Sequence, residues 1–143
     1  MTNNTDCLYC SCNDLQKSLM IEICDLQVST LFLFREQTYR GRCVVAYKQH
    51  INELFELSKT ERNLFMDDVC KVASVLQKTF QASKINYGAY SDKLAHLHFH
   101  IVPKYEDEYG FGGTFEMNPK KNYLSEEKYH EMIQKIKTEL TEM

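Results

Sequence analysis

Three of the chain's five histidines, His96, His98 and His100, stand at every second position of Leu94-Ala95-His96-Leu97-His98-Phe99-His100-Ile101-Val102-Pro103. Alternate side chains of a strand share a face, so the imidazoles form one row while Leu97, Phe99 and Ile101 form the opposite, core-facing row. Successive rings are then about 6.5–7 Å apart and the outer two about 13 Å. A single metal ion with bonds of about 2 Å reaches two of them at most. The other chemistry open to such a row is nucleophilic or acid–base. Neutral imidazole is well populated near neutral pH, and a middle ring can attack while its neighbours orient it and bind anionic oxygen. A solvated strand face accounts well for one histidine and poorly for three in register.

A second group of chemical interest is Cys7-Leu8-Tyr9-Cys10, with Cys12 close by. Two thiolates at this spacing grip one Zn²⁺ from a tight turn, yet four-coordinate zinc needs two further ligands, so the pair alone is half a site. Two ordinary cysteines and a thioredoxin-like redox pair are the competing accounts. The redox motif follows a strand and opens a helix, and nothing before Cys7 reads as a strand. His50, alone at the end of an apolar run, reads by itself as a solvated or capped side chain.

The elements that must position these groups are legible in order. Met20–Leu26 and Ser29–Arg35 are rich in β-branched and aromatic residues and read as a hairpin, with Cys43–Tyr47 as a third strand of an antiparallel meander. Ser58-Lys-Thr-Glu61 is a capping box that opens a helix, and Phe65, Val69, Val72, Leu76 and Phe80 recur at intervals of three and four to lay one stripe on the sheet. Lys84–Tyr90 reads as a fourth strand, Ser91–Lys93 as a turn, and Leu94–Lys104 as a fifth strand bearing the histidines. Residues 106–115 alternate glycine and aromatic residues, as surface loops do, with a flap carrying Tyr109, Phe111 or Phe115 as the functional alternative. Ser125–Glu142 is helical, with a narrow seam of Tyr129, Met132, Ile133, Ile136 and Leu140 to pack on another element such as the sheet. The fold class expected is α+β: a five-stranded, mainly antiparallel sheet, one long helix and a C-terminal helix in one domain spanning 1–143.

Composition bounds the partners. The chain has 143 residues, 43% of them hydrophobic, enough for one core. Its formal charge of −3, from 17 basic and 20 acidic residues, gives no long-range attraction for a nucleic acid polymer or an anionic membrane, so a phosphate ligand must be held by a local site. The first residues lack the basic and apolar stretches of a signal peptide, which leads us to expect a cytoplasmic protein. Six cysteines in such a chain read as ligands, buried thiols or catalytic groups before disulfides.

The constellation resembles the histidine-triad (HIT) family of nucleotide hydrolases and transferases. Its motif, His-φ-His-φ-His-φ-φ with φ apolar, stands complete as His96-Leu97-His98-Phe99-His100-Ile101-Val102, followed by Pro103-Lys104. Cys7-x-x-Cys10, the stretch Gly41–His50, Leu54–Leu57 and Asn86-x-Gly88 extend the resemblance, which ends near Tyr105; residues 106–143 are a divergent C-terminal extension. The resemblance implies that His98 attacks the α-phosphorus of a nucleotide and becomes a covalent nucleotidyl-histidine, its opposite N–H held by a backbone carbonyl. It implies that His100 hydrogen-bonds phosphate oxygen or assists departure, with donors from the Ser91–Lys93 turn. It also implies a structural zinc held by Cys7, Cys10, His50 and His96, which supplies the two ligands that the cysteine pair lacks.

The expected partners are accordingly a purine nucleotide or its conjugate and a second copy of the chain. The substrate-binding candidates are Phe34 under a base, Glu36 on a ribose hydroxyl, Asn86, Ser91, Lys93 and Arg42. Two departures concern the substrate. Arg42 stands where many members have histidine, and Ser91-Asp92-Lys93 replaces the common Gly-Gln-Ser/Thr. An arginine there offers phosphate a permanent charge and a planar donor fork, and Lys93 adds charge suited to a longer polyphosphate or a different leaving group. The expected activity is hydrolysis of a nucleoside phosphoramidate or dinucleoside polyphosphate. A nucleotidyl transferase of the same mechanism, a non-catalytic nucleotide-sensing dimer and, more remotely, a zinc-dependent hydrolase are the alternatives.

Overall fold

The structure, a computed structural model, describes residues 7–93 and 95–143. Its centre is a five-stranded sheet: β1 (Met20–Asp25), β2 (Ser29–Phe34), β3 (Cys43–Tyr47), β4 (Lys84–Gly88) and β5 (His98–Lys104), in the order β1-β2-β3-β5-β4. Every neighbouring pair is antiparallel, and the α+β class expected from the pattern is the one observed. A six-residue helix, α1 (Asp14–Leu19), precedes β1; α2 is Lys59–Phe80 and α3 is Glu126–Glu142. None of the described helices is long and apolar enough to cross a membrane.

The long helix starts where its capping box sits. Ser58 Oγ accepts from the Glu61 amide, and the Glu61 carboxylate reaches back to the Ser58 amide, so two otherwise unpartnered donors are satisfied together. Phe65, Val69, Val72 and Leu76 are buried and Phe80 partly so, against Leu31, Leu33, Val45 and Ile101 of the sheet. Helix α3 finds its main partner in the other long helix. It lies on α2, joins the same core through Tyr129, Ile133 and Ile136, and pairs Glu139 with Lys78 at 3.1 Å.

The fifth strand differs from the expected Leu94–Lys104. It begins at His98, Leu94 lies outside the described residues, and His96 belongs to the connection ahead of the strand. Pairing explains this: the ladder with β3 closes at Ala46 opposite His98, and although the Tyr47 amide still reaches the Leu97 carbonyl at 3.0 Å, the Leu97 amide turns to the Ile51 carbonyl at 2.7 Å. The two faces of the sheet are unequal. The α2 side carries the main core, and the opposite side carries a small cluster of Leu8, Met20, Phe32, Phe34, Val44 and Ala46. His98, His100, Val102 and Lys104 alternate onto that second side.

Candidate active site and metal centre

The register of β3 against β5 sets Val44 beside His100 and Ala46 beside His98. Small neighbours leave room for the rings, which lie 5.2 Å apart between centroids in an edge-to-face arrangement. Both are buried, His98 with 6% and His100 with 5% of its surface exposed, so the row is no solvated face. His98 Nδ1 is 2.7 Å from the His96 carbonyl oxygen, an acceptor only, and 3.0 Å from Ser91 Oγ. The proton therefore sits on Nδ1, and the Nε2 lone pair is free. Burial lowers the pKa of His98 below the ordinary imidazole value, and the His96 carbonyl partly offsets it. Ser91 reaches this position with φ of 89°, a left-handed conformation in which a serine is strained.

His100 is polarised the other way. Arg42 Nη2 lies 3.1 Å from its Nδ1, and a guanidinium can only donate, so Nδ1 accepts and the ring proton is on Nε2. Burial first, then the Arg42 charge and His98, push the His100 pKa down to about 2. Arg42 is itself wholly buried. Its guanidinium carbon is 4.1 Å from the Phe34 ring centroid and 5.1 Å from that of Phe115, and Nη1 donates to the Glu116 carbonyl at 3.4 Å. Burial lowers its pKa to about 10, against the opposing pull of Glu36, which leaves it cationic at neutral pH.

The remaining predicted residues divide. Phe34 joins the site through Arg42 and the edge of His100, at 5.7 Å. Asn86, on β4, accepts from Lys104 Nζ at 3.4 Å rather than meeting a histidine. Lys93 is exposed. Glu36, proposed for a ribose, is 4% exposed and its carboxylate is already engaged by four donors: the Thr38 amide and hydroxyl, and the amides of Lys121 and Asn122. It fastens the C-terminal segment to the end of β2.

That segment turns back over the histidine face. Glu116 donates its amide to Tyr39 Oη at 2.8 Å, and Lys104 Nζ donates to the Gly113 carbonyl at 2.8 Å. Phe115 is thereby set 6.0 Å from the His100 ring. Gly88 permits this close pass, since a Cβ there would come within 2.9 Å of the Phe115 ring. On the other flank the Tyr9 ring lies 4.5 Å from the His98 ring, tilted by 32°. Five cavities of about 80 to 670 Å³ open on the described surface; none of the five is lined by His98 or His100, although one borders Phe34 and Glu36 and another borders Asn86 and Phe115. Two rings, Tyr9 and Phe115, thus flank the histidine pair. Phe115 fits the flap alternative of the sequence reading; Tyr9 was missed there, although its place between the two cysteines ties it to whatever they hold.

Cys7, Cys10, His50 and His96 converge on one point, their ligand atoms all within 4.8 Å of one another. Cys7 Sγ is 3.3 Å and Cys10 Sγ 3.5 Å from His96 Nδ1; Cys10 Sγ is 3.4 Å and His96 Nδ1 3.2 Å from His50 Nδ1. A tetrahedral zinc with bonds of about 2.0–2.3 Å separates its ligands by roughly 3.3–3.8 Å, so these spacings fit such an ion. The tautomer fits as well. His96 Nε2 donates to the Tyr47 carbonyl at 2.7 Å, which leaves the Nδ1 lone pair for a metal, with the second hydrogen bond that ligating histidines commonly make. These four residues could hold a metal ion.

Comparison with known proteins agrees with this geometry. The chain is 29% identical over 93 residues to adenosine 5'-monophosphoramidase hnt1 of Schizosaccharomyces pombe, covering 64% of this chain and 70% of that protein. A histidine triad (HIT) protein from Sinorhizobium meliloti superposes with a TM-score of 0.82 at 22% identity, over 90% of this chain and 96% of that one. A Zn-bound histidine triad family protein from Mycobacterium smegmatis superposes with a TM-score of 0.60 at 19% identity, over 86% and 85%. The family model described as the HIT domain matches residues 22–107, from the first strand through the triad, and the chain belongs to the HIT family.

Proposed function

We propose that the protein is a nucleotide hydrolase in which His98 Nε2 attacks the α-phosphorus of a nucleotide conjugate, and water then releases the nucleotide from the nucleotidyl-histidine. The observation that carries this reading is the 2.7 Å contact of His98 Nδ1 with the His96 carbonyl. It fixes the tautomer with a lone pair on the outer nitrogen, as a nucleophile at phosphorus requires. His100 presents Nε2–H to phosphate oxygen, Ser91 steadies the nucleophile, and Phe34, Asn86 and Lys93 remain the binding residues proposed around it. A homodimer is the proposed assembly. The relative named as a phosphoramidase supports a nucleotide conjugate as the substrate class.

The cysteine–histidine cluster is proposed to hold a structural zinc. With four protein ligands it leaves no open position, and bound there the ion would supply a tie between the N-terminal turn and the entry to β5. The chemistry is assigned to the imidazoles.

The test is release of AMP from AMP-lysine and from diadenosine tetraphosphate, with His98→Ala as the control. A loss of about a thousandfold or more in the variant, with its fold intact by circular dichroism, is expected for removal of a nucleophile. Equal turnover would remove His98 from the mechanism. A second reading, nucleotide sensing without turnover, is favoured by the packing of Tyr9 and Phe115 beside the pair; nucleotide binding with no product after long incubation would establish it.

A further inference from the structure

Arg42 does not stand free for a ligand. Nη2 is on His100 Nδ1 and Met117 Sδ, Nη1 is on the Glu116 carbonyl, the guanidinium lies over the rings of Phe34 and Phe115, and Nε is buried with no partner among the described residues. It lies behind His100, and its influence on a bound nucleotide must pass through that ring. A guanidinium keeps its protons in proteins and accepts nothing. His100 Nδ1 is consequently always an acceptor, and the ring cannot become an imidazolium without setting a second buried cation beside the first. Glu36, the carboxylate that acts on Arg42, does so only through space, its oxygens being engaged by Thr38, Lys121 and Asn122. His100 can offer a hydrogen bond from Nε2–H and cannot give the proton away, because the imidazolate left behind would be a strong base.

This inference rests on the proposed attack by His98 and concerns what leaves. We propose that Arg42 is a positioning residue that holds His100 as a neutral Nε2–H donor and thereby directs the site to nucleotide conjugates whose leaving group departs as a stable anion, phosphoanhydrides and acyl phosphates, ahead of phosphoramidates. In the favoured case the His98 Nε2 lone pair forms a P–N bond as the P–O bond breaks. The leaving phosphate or carboxylate oxygen takes the bonding pair and needs no proton at neutral pH. Water then adds its oxygen to phosphorus, the pair of the P–N bond returns to Nε2, and one proton passes to solvent. In a phosphoramidate the bond that breaks is P–N, and the departing amine must acquire a proton that His100 does not supply.

The experiment compares kcat/KM for diadenosine tetraphosphate and adenosine 5'-phosphoramidate in the full wild-type chain, Arg42→His and Arg42→Lys, together with nitrogen NMR of the His100 ring at neutral pH. General-acid assistance is typically worth about 10²–10⁴ in rate. The wild type should therefore favour the anhydride, and Arg42→His should move the ratio toward the phosphoramidate by about a hundredfold. Arg42→Lys, which keeps the charge, should move it far less. The wild-type ring should show one tautomer with its proton on Nε2. An unchanged ratio in Arg42→His, a wild type that prefers the phosphoramidate, or a mixed wild-type tautomer would each overturn the proposal. If the folded wild type cleaves neither substrate, the hydrolase reading fails and the leaving-group preference falls with it. A single Nε2–H tautomer would then still locate the fault in His98 rather than in the Arg42–His100 contact.

Discussion

Replacing Glu36 by alanine should loosen the C-terminal segment and uncover the histidine pair at once. Two of the four hydrogen bonds on this carboxylate, each 2.8 Å, come from the amides of Lys121 and Asn122. Hydrogen bonds to a charged group are worth about 1.5–3 kcal/mol each. The freed amides regain water, so the pair together should be worth about 2–4 kcal/mol rather than the sum. For a chain of this length about 1 kcal/mol moves Tm by roughly 3 °C, and calorimetry should record a fall of about 6–12 °C. The charge carries its own signature. Burial raises the Glu36 pKa, but the donors of Thr38, Asn122 and Lys121 outweigh it and the net shift is downward. A depressed carboxylate contributes stability that is full above the unfolded pKa of about 4.3 and is lost as pH falls through the lower folded value. The gap between wild type and Glu36→Gln should therefore stay constant above about pH 5 and narrow below about pH 4. Hydrogen exchange should show the amides of Lys121 and Asn122 losing protection in Glu36→Ala. A fall in Tm below about 3 °C with those amides still protected would refute the clamp.

Two further outcomes are expected. Phe115→Ala removes the ring 6.0 Å from His100 and should raise kcat/KM for a nucleotide conjugate several-fold; a decrease would make Phe115 part of the binding surface instead of a cover. Elemental analysis should find one zinc per chain, lost in a Cys10→Ser/His50→Ala double variant, and chelation should lower Tm before it lowers the rate of the protein that is still folded. Loss of rate at unchanged Tm would make the ion catalytic.

The local signals in the sequence proved the most informative. The box at Ser58 and Glu61 marked the start of α2, and β-branched density marked β3 at Cys43–Tyr47. The triad's alternation placed His98 and His100 on one face, because period two is a property of the strand itself. What it could not show was where pairing begins: His96 lies in the connection, a consequence of how far β3 extends beside β5. The four metal-site candidates were reached through resemblance, since no spacing rule joins Cys7 to a histidine 89 positions away. Helix α1 is six residues long and too short for a periodic stripe. The engagement of Glu36 and the seat of Arg42 depend on a segment about 75 to 85 residues downstream of them, the one that carries Phe115 back, and a charged residue beside a strand reads the same whether its partner is water or a distant amide.

His96 serves two masters with two different parts of itself. Its ring faces the thiols while its peptide oxygen steadies the neighbouring imidazole, and only the ring depends on which amino acid occupies the position. In the proposed mechanism, a residue without an imidazole at position 96 would forfeit the ligand atom and the 2.7 Å bond from Nε2 to the Tyr47 carbonyl, yet leave the peptide oxygen beside His98, provided the backbone there held its path. Anchoring and orientation are thus written into separate atoms of one residue.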